Sequence, residues 1–193
     1  EMGRHLPFFV TLGDKETPMD QKLTTERLVL RPFTFDDAPH VRALIGNWKV
    51  ASMLARVTYP YGHGLAEQWI ATHEQRRLAD TDHPYAIEKD GELVGCIGMH
   101  RADEGQAYEV GYWIGEPHWN KGIATEAGRA LVVHAFETSR VSHLTAGHMA
   151  ENHASGQVLG KLGFRYTGTD LIWNEARRAR VLGLRMVLKR RNG

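Results

Sequence analysis

The segment Tyr112-Trp113-Ile114-Gly115-Glu116-Pro117-His118-Trp119-Asn120-Lys121-Gly122-Ile123-Ala124-Thr125-Glu126-Ala127 decides the fold of this chain. Its apolar and aromatic beginning predicts the end of a strand, which a tight loop follows. A helix is expected from about Gly122 to residue 136. One face of this helix is made of small or apolar residues that would let it lie close to a sheet, namely Ala124, Ala127, Leu131 and Ala135.

The start of this helix is a candidate anion site. A helix N-terminus leaves about four backbone N–H groups without a partner, and the helix dipole there favours negative charge. Gly122 would allow the backbone to approach a ligand closely. A pyrophosphate cradle is one interpretation, but similar turns occur in α/β proteins that bind nothing there. The segment has neither the Gly-Lys-Ser/Thr ending of ATPase loops nor the Gly-x-Gly-x-x-Gly pattern.

The sequence on either side of this segment predicts that its strand belongs to a mixed sheet. Asp90-Gly91 is a strong hairpin signal between two apolar runs, and Asp36 or Asp37 is a candidate helix cap. Parallel strands joined through a helix need a crossover, so we expect an α/β or α+β fold. Strands are expected at residues 28–30, 85–89, 92–100, 108–114, 143–148, 164–169 and 180–188, and helices up to residue 45 and at 48–54, 65–78, 122–136 and 152–162.

Length and composition bound the class of protein. At about 150 residues per domain, 193 residues predict a single domain, placed at 23–193, and the lack of periodicity before Leu23 predicts an N-terminal arm at 1–22. The 24 basic and 23 acidic residues give a net charge of +1, which argues against a nucleic-acid partner. Apolar stretches are too short for a membrane span. A single cysteine, Cys96, favours a reducing, cytoplasmic location, and scattered histidines predict no catalytic metal.

A second segment narrows the interpretation. Asn152-His153-Ala154-Ser155-Gly156-Gln157-Val158-Leu159-Gly160-Lys161-Leu162-Gly163-Phe164-Arg165-Tyr166 begins 30 residues after Gly122. With Thr25-Glu26-Arg27-Leu28-Val29-Leu30-Arg31-Pro32 and Glu109-Val110-Gly111-Tyr112-Trp113-Ile114, it resembles the GNAT superfamily of N-acetyltransferases, in its RimJ/RimL-like branch. The resemblance implies a central sheet of about six to seven strands, about four flanking helices, and a splayed pair of parallel central strands.

The resemblance also implies where acetyl-CoA, the expected cofactor, would lie. Tyr112, Trp113 and Ile114 would run beside the pantetheine arm, Asn152 would hydrogen-bond it, and a backbone N–H near Trp113 or Ile114 would face the thioester oxygen. Backbone amides would hold the pyrophosphate at Asn120, Lys121, Gly122, Ile123, Ala124 and Thr125.

Three positions depart from the superfamily pattern. Trp119 and Asn120 stand where Gln or Arg and often Gly are usual, which puts a side-chain contact to phosphate in doubt. Leu159 stands where a tyrosine often serves as general acid, so the acid must be another group or water.

The implied reaction is direct attack by a primary amine on acetyl-CoA in a ternary complex. Glu109 is the candidate base, acting directly or through water, with an ion-paired strand glutamate as the alternative. Ser155 is the candidate proton donor to the thiolate and a further cofactor contact, with a hydroxyl bonded to the helix backbone as the alternative. Cys96 is expected to be a packed small hydrophobe, so no acetyl-cysteine intermediate is predicted.

The acceptor remains open between three possibilities. A protein or peptide N-terminal α-amine is favoured, a small amine such as an amino acid, polyamine or antibiotic is the alternative, and a non-catalytic acyl-CoA-binding module is the third. The protein is expected to be a monomer or homodimer. An aromatic group could form the acceptor pocket or simply belong to the core, namely Trp48, Tyr59, Tyr61, His63 and Trp69.

Overall fold

One mixed sheet of eight strands organises the computed structural model, which describes residues 22–101 and 107–190. The sheet order is β1-β2-β3-β4-β5-β6-β8-β7, and every neighbouring pair is antiparallel except β5 and β6. The strands are β1 (Leu23–Thr24), β2 (Val29–Arg31), β3 (Asp82–Lys89), β4 (Glu92–Arg101), β5 (Tyr108–Ile114), β6 (His143–Met149), β7 (Arg165–Asn174) and β8 (Ala179–Lys189). The α-helices are α1 (Ala38–Ile45), α2 (Trp48–Ala51), α3 (Leu65–Ala71), α4 (His73–Leu78), α5 (Ile123–Thr138) and α6 (His153–Lys161).

The mixed α/β fold is confirmed, and its element count is higher than the six to seven strands and four helices expected. Leu23 and Thr24 add a short edge strand opposite Leu30 and Val29. The helix expected over residues 65–78 is divided at Thr72, whose hydroxyl and backbone N–H both donate to the carbonyl of Trp69. This local bonding tightens the turn and interrupts the regular α-helical ladder.

Hydrophobic clusters cover both faces of the sheet, so its central strands are buried on both sides. On β3, Tyr85 and Ile87 belong to the cluster under α5, while Ala86 between them belongs to the cluster under α1. This alternation follows from the two-residue period of a strand. The expected apolar face of α5 is confirmed, because Ala127, Leu131 and Ala135 are buried and Ala124 packs partly against the same cluster.

The expected packing role of Cys96 is also confirmed. It lies in the cluster under α1 with 6% of its surface exposed. Burial raises the pKa of its thiol, which disfavours the nucleophilic thiolate.

The parallel strands β5 and β6 pair only at their beginnings. Their register covers three pairs, from Tyr108 opposite Leu144 to Val110 opposite Ala146. Beyond that point β5 continues along β4 as far as Ile114, and β6 continues along β8 as far as Met149. The strands therefore separate, and the expected splayed pair is confirmed. The arm expected at 1–22 lies, apart from Lys22, outside the described residues.

Candidate active site

A groove of about 2230 Å³ follows the gap between β5 and β6. It exceeds the roughly 300 to 1,000 Å³ of a pocket for one small ligand, so it has room for two reactants. All the residues predicted for the site line it, from three separate elements and the loop before α5: Glu109, Tyr112, Trp113, Ile114, Asn120, Lys121, Gly122, Ile123, Ala124, Thr125, Asn152 and Ser155.

The wall at the start of α5 is made of backbone. Gly122, the N-cap residue, has φ of 75°, and Asn120 two residues earlier has φ of 60°. These left-handed residues turn the loop sharply, a conformation that glycine and asparagine tolerate best. Among the described residues, no side chain caps the first turn of α5. The N–H groups there are therefore free for an anion, and the site fits a diphosphate.

A polar brace, consisting of Thr25, Arg27 and Glu126, fixes this loop to the first strands. The Glu126 carboxylate accepts from Thr25 Oγ1 at 2.6 Å and from Arg27 Nε at 2.7 Å. Arg27 Nη1 also donates to the Lys121 carbonyl at 3.1 Å. Desolvation raises the pKa of Glu126, but the hydrogen bonds from Thr25 and Arg27 outweigh it and hold that pKa below its usual range. The sequence alone did not indicate this contact, because it joins positions about a hundred residues apart.

Trp119 has a structural role at the end of β5. Its indole Nε1 donates to the Ile114 carbonyl at 2.6 Å, so the side chain ties the loop to the strand. The backbone N–H of Gly115 donates to Val94 on β4. Because successive residues of a strand direct their backbone groups to opposite edges, the N–H groups of Ile114 and Tyr112 face the gap.

The opposite wall of the gap comes from the start of α6. Asn152 is the N-cap residue, and its Oδ1 accepts from the backbone N–H of Ser155 at 3.1 Å. The Tyr112 hydroxyl on β5 lies 2.8 Å from the Ser155 hydroxyl and 3.2 Å from the Ser155 carbonyl oxygen, so these two residues bridge the gap. Leu159, one turn further along α6, is 1% exposed and packs in the core.

Glu109 stands at the closed end of the gap. It lies opposite His100 on β4 and Thr145 on β6, one residue before the last pair of the parallel register. Its Oε2 is 3.4 Å from Arg185 Nη1, and 28% of the side chain is exposed. Both expected interpretations therefore have a structural basis: Glu109 has a loose ion pair and also lines the groove.

The aromatic group near the first helices divides between core and groove. Tyr61 and Trp69 are partly buried against the cluster under α1 and still line the groove. Trp48 meets Tyr59 edge to face at 5.0 Å, and both rings are about two-fifths exposed. His63 is bonded to Arg42 at 2.8 Å. Three of the five side chains line the groove: Trp48, Tyr61 and Trp69.

Two absences hold for the described residues. Across residues 22–101 and 107–190, no group of three or more His, Cys, Asp or Glu side chains is placed to hold a metal ion. Within the same ranges, no helix has the length and apolar character that crossing a bilayer requires.

The mixed sheet, its split parallel pair and the uncapped start of α5 beside the opening together define the class of domain, and their groove is suited to an extended, anionic ligand. The chain belongs to the acetyltransferase (GNAT) domain family, whose model matches residues 27–165. It is 29% identical over 152 residues to "Uncharacterized N-acetyltransferase YoaA" of Bacillus subtilis, covering 76% of this chain and 84% of the relative.

Two further comparisons confirm the resemblance to the RimJ/RimL-like branch. The chain is 31% identical over 85 residues to the "Ribosomal-protein-serine acetyltransferase" of Escherichia coli, covering 44% of this chain and 48% of the relative. Its fold is similar to that of Mycobacterium smegmatis RimJ in complex with CoA-disulfide, with a TM-score of 0.78 at 21% identity over 89% of this chain and 88% of the other.

Proposed function

We propose that this protein transfers an acetyl group from acetyl-CoA to a primary amine, by direct attack in a ternary complex, and that the amine is the N-terminal α-amine of a protein or peptide. The observation that carries the proposal is the continuity of the groove. One cavity joins the free start of α5, the gap between β5 and β6, the Glu109 carboxylate and the Ser155 hydroxyl. A relative named for acetylating a ribosomal protein supports the choice of acceptor.

The donor would bind mainly to backbone. The N–H groups that follow Gly122 would hold its pyrophosphate, and the free edge of β5 would bond its pantetheine arm. The Asn152 side-chain amide can bond both α6 and the donor. Its oxygen caps α6, and its nitrogen remains to donate to the pantetheine arm. The N–H of Ile114, which faces the gap, is the candidate donor to the thioester oxygen.

Electrostatic stabilisation would supply most of the acceleration. One backbone donor aimed at a developing oxyanion contributes about 2.7 to 4 kcal/mol. A peptide α-amine has a pKa of about 7.7 to 8.0, so roughly a tenth is free base at pH 7, whereas a lysine amine is almost fully protonated. An α-amine acceptor therefore needs little help from a base. Glu109 would receive the amine proton directly or through water, and Ser155 would give a proton to the departing thiolate.

The experiment is a paired acceptor screen. The protein is incubated with acetyl-CoA and either a panel of peptides with free N-termini or a panel of amino acids, polyamines and aminoglycosides, and free thiol is followed. Release with peptides but not with the same peptides blocked at the N-terminus supports the proposal. Release only with small amines replaces the acceptor assignment. Coenzyme binding by calorimetry without thiol release from either panel replaces the enzyme with a binding module.

A monomer or homodimer and a cytoplasmic location stay predictions. The same holds for the absence of nucleic-acid and membrane partners. Size-exclusion chromatography with light scattering measures the oligomeric state directly.

A further inference from the structure

The gap between β5 and α6 is crossed by a pair of hydroxyl groups. Tyr112 Oη lies 2.8 Å from Ser155 Oγ and 3.2 Å from the Ser155 carbonyl oxygen. These distances allow two arrangements: the phenol donates to Oγ, or it donates to the carbonyl and accepts from Oγ. This contact joins residues 43 positions apart, and nothing local in the sequence indicates it.

The Ser155 hydroxyl has one proton to give. The backbone N–H of Ser155 is already bonded to Asn152, so Oγ is not needed to cap α6. If the phenol donates to Oγ, the Ser155 proton is directed away from Tyr112 and into the groove that both residues line. A serine held in this way presents a donor to whatever lies in the gap.

We propose that Tyr112 is a positioning residue for Ser155: its phenol orients the serine hydroxyl toward the coenzyme sulfur and replaces the proton that the serine gives up. The proposal rests on the proposed acetyl transfer. Leu159, on α6, is buried in the core and has no hydroxyl to give, so the phenol that supports Ser155 comes from strand β5 instead.

The step balances in atoms and charge. The carbon–sulfur bond breaks and its electron pair goes to sulfur, which takes the proton of Ser155 Oγ. Oγ takes the phenolic proton of Tyr112, and water in the groove reprotonates the phenol. The proton lost by the attacking amine leaves through Glu109 or water, so one proton enters the groove and one leaves.

The environment of Tyr112 keeps the phenol protonated. Burial raises its pKa to about 12, whereas a hydrogen bond accepted from Ser155, the other possible arrangement, would lower that pKa. At neutral pH the side chain is therefore a neutral donor. Its phenolate is still far easier to form than a serine alkoxide, because an aliphatic alcohol, like bulk water, is a much weaker acid than a phenol. Proton transfer through the pair costs less than transfer from Ser155 alone.

A double-mutant cycle separates this role from packing. Tyr112→Phe is expected to lower kcat at least tenfold, about 1.4 kcal/mol, with the KM for acetyl-CoA changed less than twofold. In the Ser155→Ala background the same change is expected to have no further effect on kcat. Tyr166→Phe is the matched control, because its hydroxyl bonds His148 at 3.1 Å, outside the bridge. Additive losses, or a loss confined to KM, would show that Tyr112 only packs.

A binding experiment tests the same contact without turnover. Affinity for coenzyme A and for desulfo-coenzyme A is measured by calorimetry from pH 6 to 9. A serine proton aimed at sulfur stabilises the thiolate, so coenzyme A should gain affinity over its desulfo analogue as pH rises, about fivefold or more in the wild type and less than twofold in Tyr112→Phe.

The desulfo analogue controls for any pH effect that does not depend on the coenzyme sulfur. Four histidines line the groove, namely His100, His118, His148 and His153, and they affect both ligands alike. An equal pH dependence for the two ligands in the wild type would overturn the proposal. A wild type that shows the sulfur-dependent gain but never releases thiol would instead reject the acetyl-transfer function while retaining the contact.

Discussion

Val110 of β5 lies opposite Ala146 of β6, and the register of the two parallel strands ends at this pair. Three features of the site are arranged around that ending. Glu109 sits just before it, the free edge of β5 begins just after it, and Tyr112 bridges the opening to Ser155. If β5 and β6 had stayed paired, these backbone groups would be hydrogen-bonded within the sheet.

The proposed diphosphate site can be tested at Gly122. Gly122→Val is expected to weaken coenzyme A binding at least tenfold, because a branched side chain would crowd the amides and the left-handed φ would no longer be tolerated. Gly91→Val is the matched control, since Gly91 has φ of 83° with open space around it and lies in the β3–β4 hairpin. Both variants should lose similar stability in urea, and calorimetry should show a loss of affinity only for Gly122→Val. Equal affinities would remove the diphosphate from this loop.

The base prediction concerns Glu109. Glu109→Gln is expected to lower kcat by about 10²-fold with peptide acceptors near neutral pH, and less at pH 9, where the α-amine is already free base. Glu92→Gln, at the exposed start of β4, should leave kcat unchanged. The measurement is thiol release against pH at saturating acetyl-CoA. A constant ratio of wild type to variant across the range would assign Glu109 to structure alone.

Acid should weaken the brace between α5 and the first strands. The pKa of Glu126 is lowered in the folded protein, so its stabilising contribution is complete above the pKa it has when unfolded. That contribution is lost as pH falls through the lower, folded value. The difference in unfolding free energy between wild type and Glu126→Gln should therefore shrink between pH 6 and pH 3 in urea titrations.

Glu137→Gln supplies the control for this titration. Glu137 is on the same helix and exposed, so its effect should stay small throughout. A Glu126→Gln difference that grows toward acid would contradict the sign of the shift.

The thiol of Cys96 should not react in the native protein. Its burial and raised pKa predict no labelling by iodoacetamide at pH 8 until the chain is unfolded. Cys96→Ala should keep kcat within about twofold and lose about 1 kcal/mol of stability, as expected for a small buried side chain. Mass spectrometry reads the labelling, and an acetylated Cys96 after incubation with acetyl-CoA would require a covalent intermediate instead.

Local signals were enough for the middle of the fold. The expected strand at Tyr108–Ile114 has the same bounds in the structure, and α5 starts within one residue of Gly122. The hairpin at Asp90-Gly91 is also confirmed, with positive φ at both residues. In each case the deciding residues are neighbours in the chain, so their pattern is visible in the sequence.

Contacts between distant residues were out of reach. The Tyr112–Ser155 bridge, the Arg185–Glu109 pair and the brace at Glu126 depend on how the strands are ordered, which periodicity does not encode. The same reason accounts for β1, whose two residues form a strand only because β2 lies beside them. Trp119 is different, since its bond to Ile114 spans five residues and an indole beside a strand end was a usable signal.

The amides after Gly122 have a consequence for how such proteins can change over time. An anion site made of main-chain amides depends on the length of the loop and on its left-handed residues, Asn120 and Gly122, more than on side chains that contact the ligand. Trp119 and Asn120 still matter for that shape, because the indole bonds the Ile114 carbonyl and asparagine tolerates a positive φ, but neither role requires a side-chain contact to phosphate. Sequence similarity among such proteins is then expected to fall faster than the similarity of the loop's backbone shape.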